Sequence, residues 1–301
     1  MQSSNMRLKR VVDVLLVLVL SVFLISGCGT KEKTYQDSLG NDIVLKGTPK
    51  RIVSLSPALT EIVFALGAGD RLVGVTNYCN RPEDAQKIEK VGDAFNLNLE
   101  KLVSLKPDLV LIAGTRDQES QNQKDMRRLE IPAYSSGPST VEEVFSDIES
   151  LSKVLGVDAE GEALVERLRG ELDSVLANVA ADPADRPSVF VAIDQDLWTV
   201  GPGSFIDEAV SLAGGRNVVD DVDLQYLQIS MEDLLQRNPD VILIAIPEEV
   251  AGPLLARPGW GVLKAVSHGK VFFVNPDLIS RPSPAVIEGI KELASLFRSE
   301  K

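Results

Sequence analysis

A chain of 301 residues with 44 acidic and 31 basic side chains carries a net charge of −13. That length allows two modest domains with separate cores, and the charge repels nucleic acid and anionic headgroups while remaining compatible with docking onto a basic protein surface. The single histidine, His268, cannot build the clusters typical of zinc sites, so no metal site made of protein ligands and no resident cofactor is expected.

The first residues set the compartment. Arg7, Lys9 and Arg10 precede an apolar run from Val14 to Ile25 that closes on Leu24-Ile25-Ser26-Gly27-Cys28. A positive start, a short apolar stretch and small residues before a cysteine read as a lipoprotein signal peptide over residues 1–27, with lipid on Cys28; an uncleaved membrane anchor is the alternative, although a span needs about 20 apolar residues. Either way the remaining chain is expected to work outside the cytoplasm, held to the cell membrane. Cleavage removes three bases and one acid and takes the net charge to −15, and with Cys28 acylated the other thiol, Cys79, has no partner for an internal disulfide.

Residues 28–50 are polar without a sustained period and read as a tether and lead-in, with a short hairpin at Leu39-Gly40-Asn41-Asp42. From Arg51 strand-like and helix-like runs alternate: Arg51–Leu55, Pro57–Leu66, Leu72–Thr76. Ser56 and Pro57 supply a helix cap and first position, and Gly67 and Gly69 a helix end. The alternation places an N-terminal α/β lobe at residues 51–155.

Comparison of the chain with itself shows a duplication. Residues 99–113, LEKLVSLKPDLVLIA, align without a gap with residues 231–245, MEDLLQRNPDVILIA. Each copy reads as a short helix capped by Asn98 or Ser230, a Pro-Asp turn and a buried parallel strand. A weaker echo pairs Thr60-Glu61 through Gly67-Ala68 with Asp207-Glu208 through Gly214-Gly215, where chance similarity between α/β units is the competing explanation. Two such copies imply an α/β protein of two Rossmann-like lobes with a ligand cleft between them. Between them, Val141–Leu155 and Ala159–Val179 have helical spacing, and the second predicts a strut of about 32 Å. This linking helix is assigned to residues 156–182 and the C-terminal lobe to 183–301, its sheet opening at Ser188–Ile193. One stiff connection predicts limited hinge closure.

In such lobes ligands sit beyond the carboxyl ends of the strands. The loops expected there carry Tyr78, Phe95, Thr115-Arg116, Trp198, Tyr226, Glu248 and Arg281. In a chain with 9 Phe, 4 Tyr and 2 Trp, that share of rings points to a ligand with a flat or greasy face. Phe95 and Trp198 have core cover as their alternative role, and Arg116 and Arg281 a surface or interlobe ion pair. Trp260 is read as a buried helix start, and His268 as a turn residue with axial ligation of a ligand's metal as a minor role. Enzyme motifs are missing: Gly67-Ala68-Gly69 lacks a third glycine, and Gly201-Pro202-Gly203-Ser204-Phe205 lacks the final glycine of a nucleophile elbow. Cys79 with His268 as base is the one catalytic pair to weigh, against a small residue packed beside cleft or core.

Several of these segments together resemble the helical-backbone substrate-binding proteins of ABC importers for cobalamin, ferric siderophores and haem. The resemblance rests on Arg51-Ile52-Val53-Ser54-Leu55-Ser56-Pro57, Thr60-Glu61, Leu72-Val73-Gly74-Val75, Ala85-Gln86-Lys87-Ile88, Asn98-Leu99-Glu100 and Leu105-Lys106-Pro107-Asp108-Leu109-Val110. It continues through Gly214-Gly215, Gln228-Ile229-Ser230-Met231-Glu232, Pro239-Asp240 and Gly269-Lys270-Val271. It implies a binding protein, not an enzyme, that delivers an intact ligand to a permease dimer with its ATPase subunits. The cobalamin-binding members are the most similar: Tyr78 falls on a matching cleft tyrosine and Tyr226 on a cleft tryptophan, whereas Ala94 replaces a stacking tryptophan and leaves Phe95 beside it as substitute. Cobalamin or a related corrinoid is thus the first expected ligand, with a ferric siderophore or haem as alternatives. An exported α/β enzyme using Cys79, or an adhesion module without a ligand, are the readings of a different class. Glu100 and Glu232, at matching positions of the duplication, fall where the family presents glutamates to permease arginines; charge at a helix start is the structural alternative.

Overall fold

The computed structural model describes residues 32–93, 96–180 and 182–298. The expected signal peptide, Cys28, Ala94 and Phe95 lie outside these residues. The chain opens with an antiparallel hairpin, β1 (Lys33–Gln36) and β2 (Asp42–Leu45). Asp37 closes its turn, accepting hydrogen bonds from the amides of Leu39 (3.0 Å) and Asn41 (2.8 Å), and its other oxygen accepts from the amide of Ser135 (3.1 Å). Ile43 and Leu45 are buried in the molecule's central core. Much of the segment expected to be tether is therefore part of the first lobe; two inward residues are too short an alternation to register as a strand period.

The first lobe continues through β3 (Ile52–Ser54), α1 (Pro57–Ala65), β4 (Leu72–Val75), α2 (Leu99–Ser104), β5 (Leu109–Ala113), α3 (Gln121–Arg128), β6 (Ala133–Ser136) and α4 (Val141–Leu155). Its parallel sheet runs β4-β3-β5-β6. The linking helix is α5 (Asp158–Leu176), ending three residues short of the expected Val179. The second lobe comprises β7 (Ser188–Ala192), β8 (Trp198–Val200), α6 (Phe205–Leu212), β9 (Arg216–Asn217), β10 (Tyr226–Gln228), α7 (Met231–Arg237) and β11 (Val241–Ile244), then α8 (Gly252–Leu255), α9 (Lys264–Ser267), β12 (Val271–Phe273), α10 (Pro276–Ser280) and α11 (Val286–Arg298). Its parallel sheet runs β12-β11-β7-β9, and β8 pairs with β10 as a separate antiparallel ribbon.

The duplication is visible atom by atom. Asn98 and Ser230 cap α2 and α7, their side-chain oxygens accepting from the amides of Lys101 (2.9 Å) and Asp233 (3.0 Å). Both units then pass through a left-handed residue, Lys106 with φ 47° and Asn238 with φ 43°. The aspartate that follows stitches its strand to the neighbour: Asp108 accepts from the amides of Lys50 and Arg51 (2.9 Å each), and Asp240 from the amide of Ser188 (2.8 Å). The weaker echo is structural as well, since Gly67 (φ 71°) and Gly214 (φ 93°) end α1 and α6 in the left-handed conformation that glycine adopts without steric cost.

Strand alternation shows where the core sits. Leu109 and Leu111 of β5, Val189 and Val191 of β7, and Val241 and Leu243 of β11 all enter one continuous cluster that also takes Leu164, Val165 and Leu168 of α5 and Ile290 and Leu293 of α11. The intervening residues point outward into two smaller cores, Val110 and Ile112 under α2 and α3, Phe190 and Ile242 in the second lobe. The two lobes thus share their central core. Trp260 is buried in the second lobe's outer core and opens a short helical turn, as expected.

Candidate ligand cleft

The segments that follow β4 and β12 meet across the lobes, where Asn80 hydrogen-bonds Asp277 (3.0 Å) and Arg281 (2.7 Å), and exposed aromatic side chains stand on the segments beyond β4 and β7. Tyr78, after β4, is 60% exposed; Trp198 and Tyr226, near the end of β7, are 41% and 48% exposed. Large rings left this open are the informative exception to burial. The structure corrects their setting: Trp198 and Tyr226 belong to the β8–β10 ribbon, where Trp198 pairs with Gln228 and Tyr226 with Val200, and the four side chains share one face. Ile193 donates its amide to the Trp198 carbonyl (3.0 Å), which fastens the ribbon to the end of β7. Leu224, 58% exposed and next to the ribbon, is an apolar residue that sequence reasoning did not single out.

The charged candidates behave differently from one another. Arg116 points to Glu143 (3.2 Å) and lines a concavity of about 510 Å³ beside the hairpin together with Asp37, Ile43 and Arg127. Glu248 opens an exposed turn after β11, and Thr115 bonds within its own loop to the Gln118 carbonyl (3.4 Å). Arg281 is turned inward across the lobe junction: its guanidinium lies 3.0 Å from Glu61 of α1 and 2.7 Å from Asp277 of α10, with side chains only 14% exposed for Arg281 and 8% for Glu61. Ser283 donates to the other Glu61 oxygen (2.7 Å), and Asn80 donates to Asp277 (3.0 Å) and accepts from Arg281 (2.7 Å). The interlobe ion pair, one of the two roles open to Arg281, is therefore formed. A groove of about 590 Å³ lined by Glu61, Phe64, Arg81, Leu168, Ile287 and Lys291 adjoins this contact. Neither concavity takes in the rings of Tyr78, Trp198 or Tyr226, which stand on open surface.

No catalytic pair assembles around Cys79. Its thiol is buried, 3.2 Å from the hydroxyls of Thr60 and of Thr76. His268 caps α9 at the amino end of β12, its Nδ1 2.8 Å from the Lys264 carbonyl, whereas Cys79 follows the carboxyl end of β4. Among the described residues no group of three or more His, Cys, Asp or Glu is placed to hold a metal ion, and no helix is long and apolar enough to cross a membrane. Glu100 and Glu232 both occupy the second position of their helices and are exposed.

Two α/β lobes on one linking helix, with open aromatic faces beyond their strand ends, have the architecture of a two-lobed binding protein. The chain belongs to the periplasmic binding protein family, whose model matches residues 52–278. Among its relatives is the uncharacterised ABC transporter substrate-binding lipoprotein YvrC of Bacillus subtilis (strain 168), 33% identical over 92% of this chain and 94% of that one. The crystal structure of the periplasmic vitamin B12-binding protein BtuF of Vibrio cholerae superposes with a TM-score of 0.72 at 27% identity, covering 84% of this chain and 99% of that one. The periplasmic haem-binding protein BhuT, solved with two haems, gives a TM-score of 0.74 at 26% identity over 84% and 99%. The protein is thus a substrate-binding component of an ABC importer, working outside the cytoplasm, binding a small molecule and delivering it to a permease. The alternative of an enzyme built on Cys79 is set aside, because the family and these relatives are binding proteins.

Proposed function

We propose that this protein captures cobalamin or a related corrinoid between its lobes and hands it intact to its permease. The observation that carries the reading is the set of exposed rings beyond the strand ends, Tyr78 from one lobe and Trp198 and Tyr226 from the other, which offer flat surfaces to a flat macrocycle. Likeness to a vitamin B12-binding structure supports the same choice. In this reading Phe95 would add a ring from the first lobe and Arg116 a polar group at its margin, with Arg281 at the lobe junction beneath Tyr78. Haem or a ferric siderophore is the second reading, favoured by the haem-binding neighbour, because stacking rings do not distinguish one planar ligand from another.

In the same proposal Cys28 carries lipid and anchors the protein to the membrane, residues 51–155 with the β1–β2 hairpin form the first lobe and 183–301 the second, and Glu100 and Glu232 present one carboxylate per lobe to a two-subunit permease. The deciding experiment titrates delipidated protein with cobalamin, haem and ferric siderophores, following intrinsic fluorescence and calorimetry. Saturable one-to-one cobalamin binding at or below micromolar concentration, with the ligand recovered unchanged, is the expected result. Saturation by haem or a siderophore alone moves the assignment to the second reading. For the anchor, Cys28→Ser should abolish incorporation of labelled fatty acid and release the protein from membranes.

A further inference from the structure

Tyr78 stands on a first-lobe loop that is tied to the second lobe. Two residues beyond it, the side-chain amide of Asn80 bridges Arg281 (2.7 Å) and Asp277 (3.0 Å), and Arg281 Nη2 reaches toward the Tyr78 carbonyl itself at 3.5 Å. The anchor of this contact is buried, since Arg281 also pairs with Glu61 (3.0 Å) and Asp277 (2.7 Å), and Ser283 holds the second Glu61 oxygen (2.7 Å). Between Tyr78 and Asn80 the chain passes through Cys79, whose buried side chain gives the loop a fixed pivot in its own lobe. The Tyr78 ring is left open to solvent while its backbone is clamped from both lobes.

We propose that Arg281 is a positioning residue: through Asn80 and the Tyr78 carbonyl it sets where the Tyr78 ring stands relative to the Trp198–Tyr226 face of the other lobe. This rests on the corrinoid reading for its ligand and on the present geometry for its mechanism. The planar guanidinium forks toward Glu61 and Asn80 with one nitrogen and toward Asp277 and Tyr78 with the other, which a lysine ammonium cannot reproduce. Because the ring faces a planar ligand, an error in its placement costs stacking contact rather than a hydrogen bond. Arg281 then matters to affinity only as long as Tyr78 is present.

The test is a double-mutant cycle in the full-length protein, using cyanocobalamin as probe and amide hydrogen exchange as a ligand-free readout. Arg281→Gln and, as a variant that spares the buried Arg281–Glu61 pair, Asn80→Ala should each weaken cyanocobalamin binding roughly tenfold in the parent and less than about twofold in a Tyr78→Ala background. Exchange at Tyr78–Asn80 should rise in both variants, and Arg281→Lys should not restore affinity. Equal losses with and without the Tyr78 ring would overturn the proposal and make Arg281 a direct ligand contact; unchanged exchange in the loop would overturn it as well. If the parent fails to bind cyanocobalamin, the corrinoid reading falls, and the exchange result alone then decides whether Arg281 places this loop.

Discussion

Glu61 and Glu208 occupy matching positions of the weaker internal echo, and each sends its carboxylate into the opposite lobe. Glu61, on α1, meets Arg281 (3.0 Å) and Ser283 (2.7 Å) of the second lobe. Glu208, on α6, accepts from the amide of Val141 (2.7 Å), the first residue of α4 in the first lobe. One carboxylate thus fastens each flank of the junction, one by an ion pair and the other by capping a helix start.

That difference predicts unequal costs. Glu61→Gln leaves Arg281 buried with only Asp277 to balance it and should lower stability by about 2 kcal/mol in urea denaturation. Glu208→Gln keeps an acceptor oxygen for Val141 and should stay within about 1 kcal/mol of the parent at neutral pH. Burial pushes the Glu208 carboxyl above its ordinary value against the Val141 hydrogen bond, with Glu143 and Asp207 adding to the rise. A raised carboxyl favours folding most when protonated, so the parent's stability relative to Glu208→Gln should be greatest below the ordinary glutamate range and decline as pH rises through the raised value. A difference that grows from pH 4 to pH 7 would refute the assignment.

Asp240 gives the opposite sign. Burial tends to raise its carboxyl, but the Lys264 ammonium and the Ser188 amide and hydroxyl outweigh it and hold the group down at about 2. Its contribution should therefore be complete above the ordinary aspartate range and vanish as the pH falls through about 2. Asp240→Asn should cost about 1 kcal/mol at pH 7, allowing for its partial exposure, and little at pH 2.

The hydroxyl of Thr199 is buried without a hydrogen-bond partner among the described residues. An orphaned hydroxyl is a net cost, so Thr199→Val, which keeps the shape and removes the polar atom, should raise stability by about 1 kcal/mol without changing the denaturant slope. Trp198 and Tyr226 on the same ribbon should retain their ligand affinity, which makes the variant a clean control for stability alone.

Glu100 and Glu232 predict a separation of functions. Exposed at the second position of short helices, they contribute little to folding, so Glu100→Ala with Glu232→Ala should leave ligand affinity and melting temperature near those of the parent. Association with the permease and uptake should fall. Unchanged docking and transport in the double variant would place the interface elsewhere.

Parts of this architecture were legible before the structure, and the missing parts share a reason. Caps at Asn98 and Ser230, the Pro-Asp turns and the helix Val141–Leu155 are local features, written in neighbouring residues. Tyr78 could be placed beyond a strand end from the order of elements. The Glu61–Arg281 pair joins residues 220 positions apart and leaves no local mark. The β8–β10 ribbon carries no readable period because its strands have three residues each, and Leu224 is not marked by any period in the mixed stretch of residues 220–225. The hairpin turn at residues 39–42 is legible from its Gly40-Asn41, but strands of four residues do not show that Ile43 and Leu45 pack into the first lobe.

Leu109 and Leu111 in one copy of the duplicated unit match Val241 and Leu243 in the other, and all four enter the same central cluster. Two copies that give equivalent faces to one core resemble the sides of an isologous contact, in which the same patch serves both partners. Here α5 carries the chain from one copy to the other, so the contact is intramolecular, and its strength does not fall on dilution as that of a true dimer would. For a protein that must hold its shape at whatever low abundance it meets its ligand, the covalent strut replaces concentration as the guarantee of assembly.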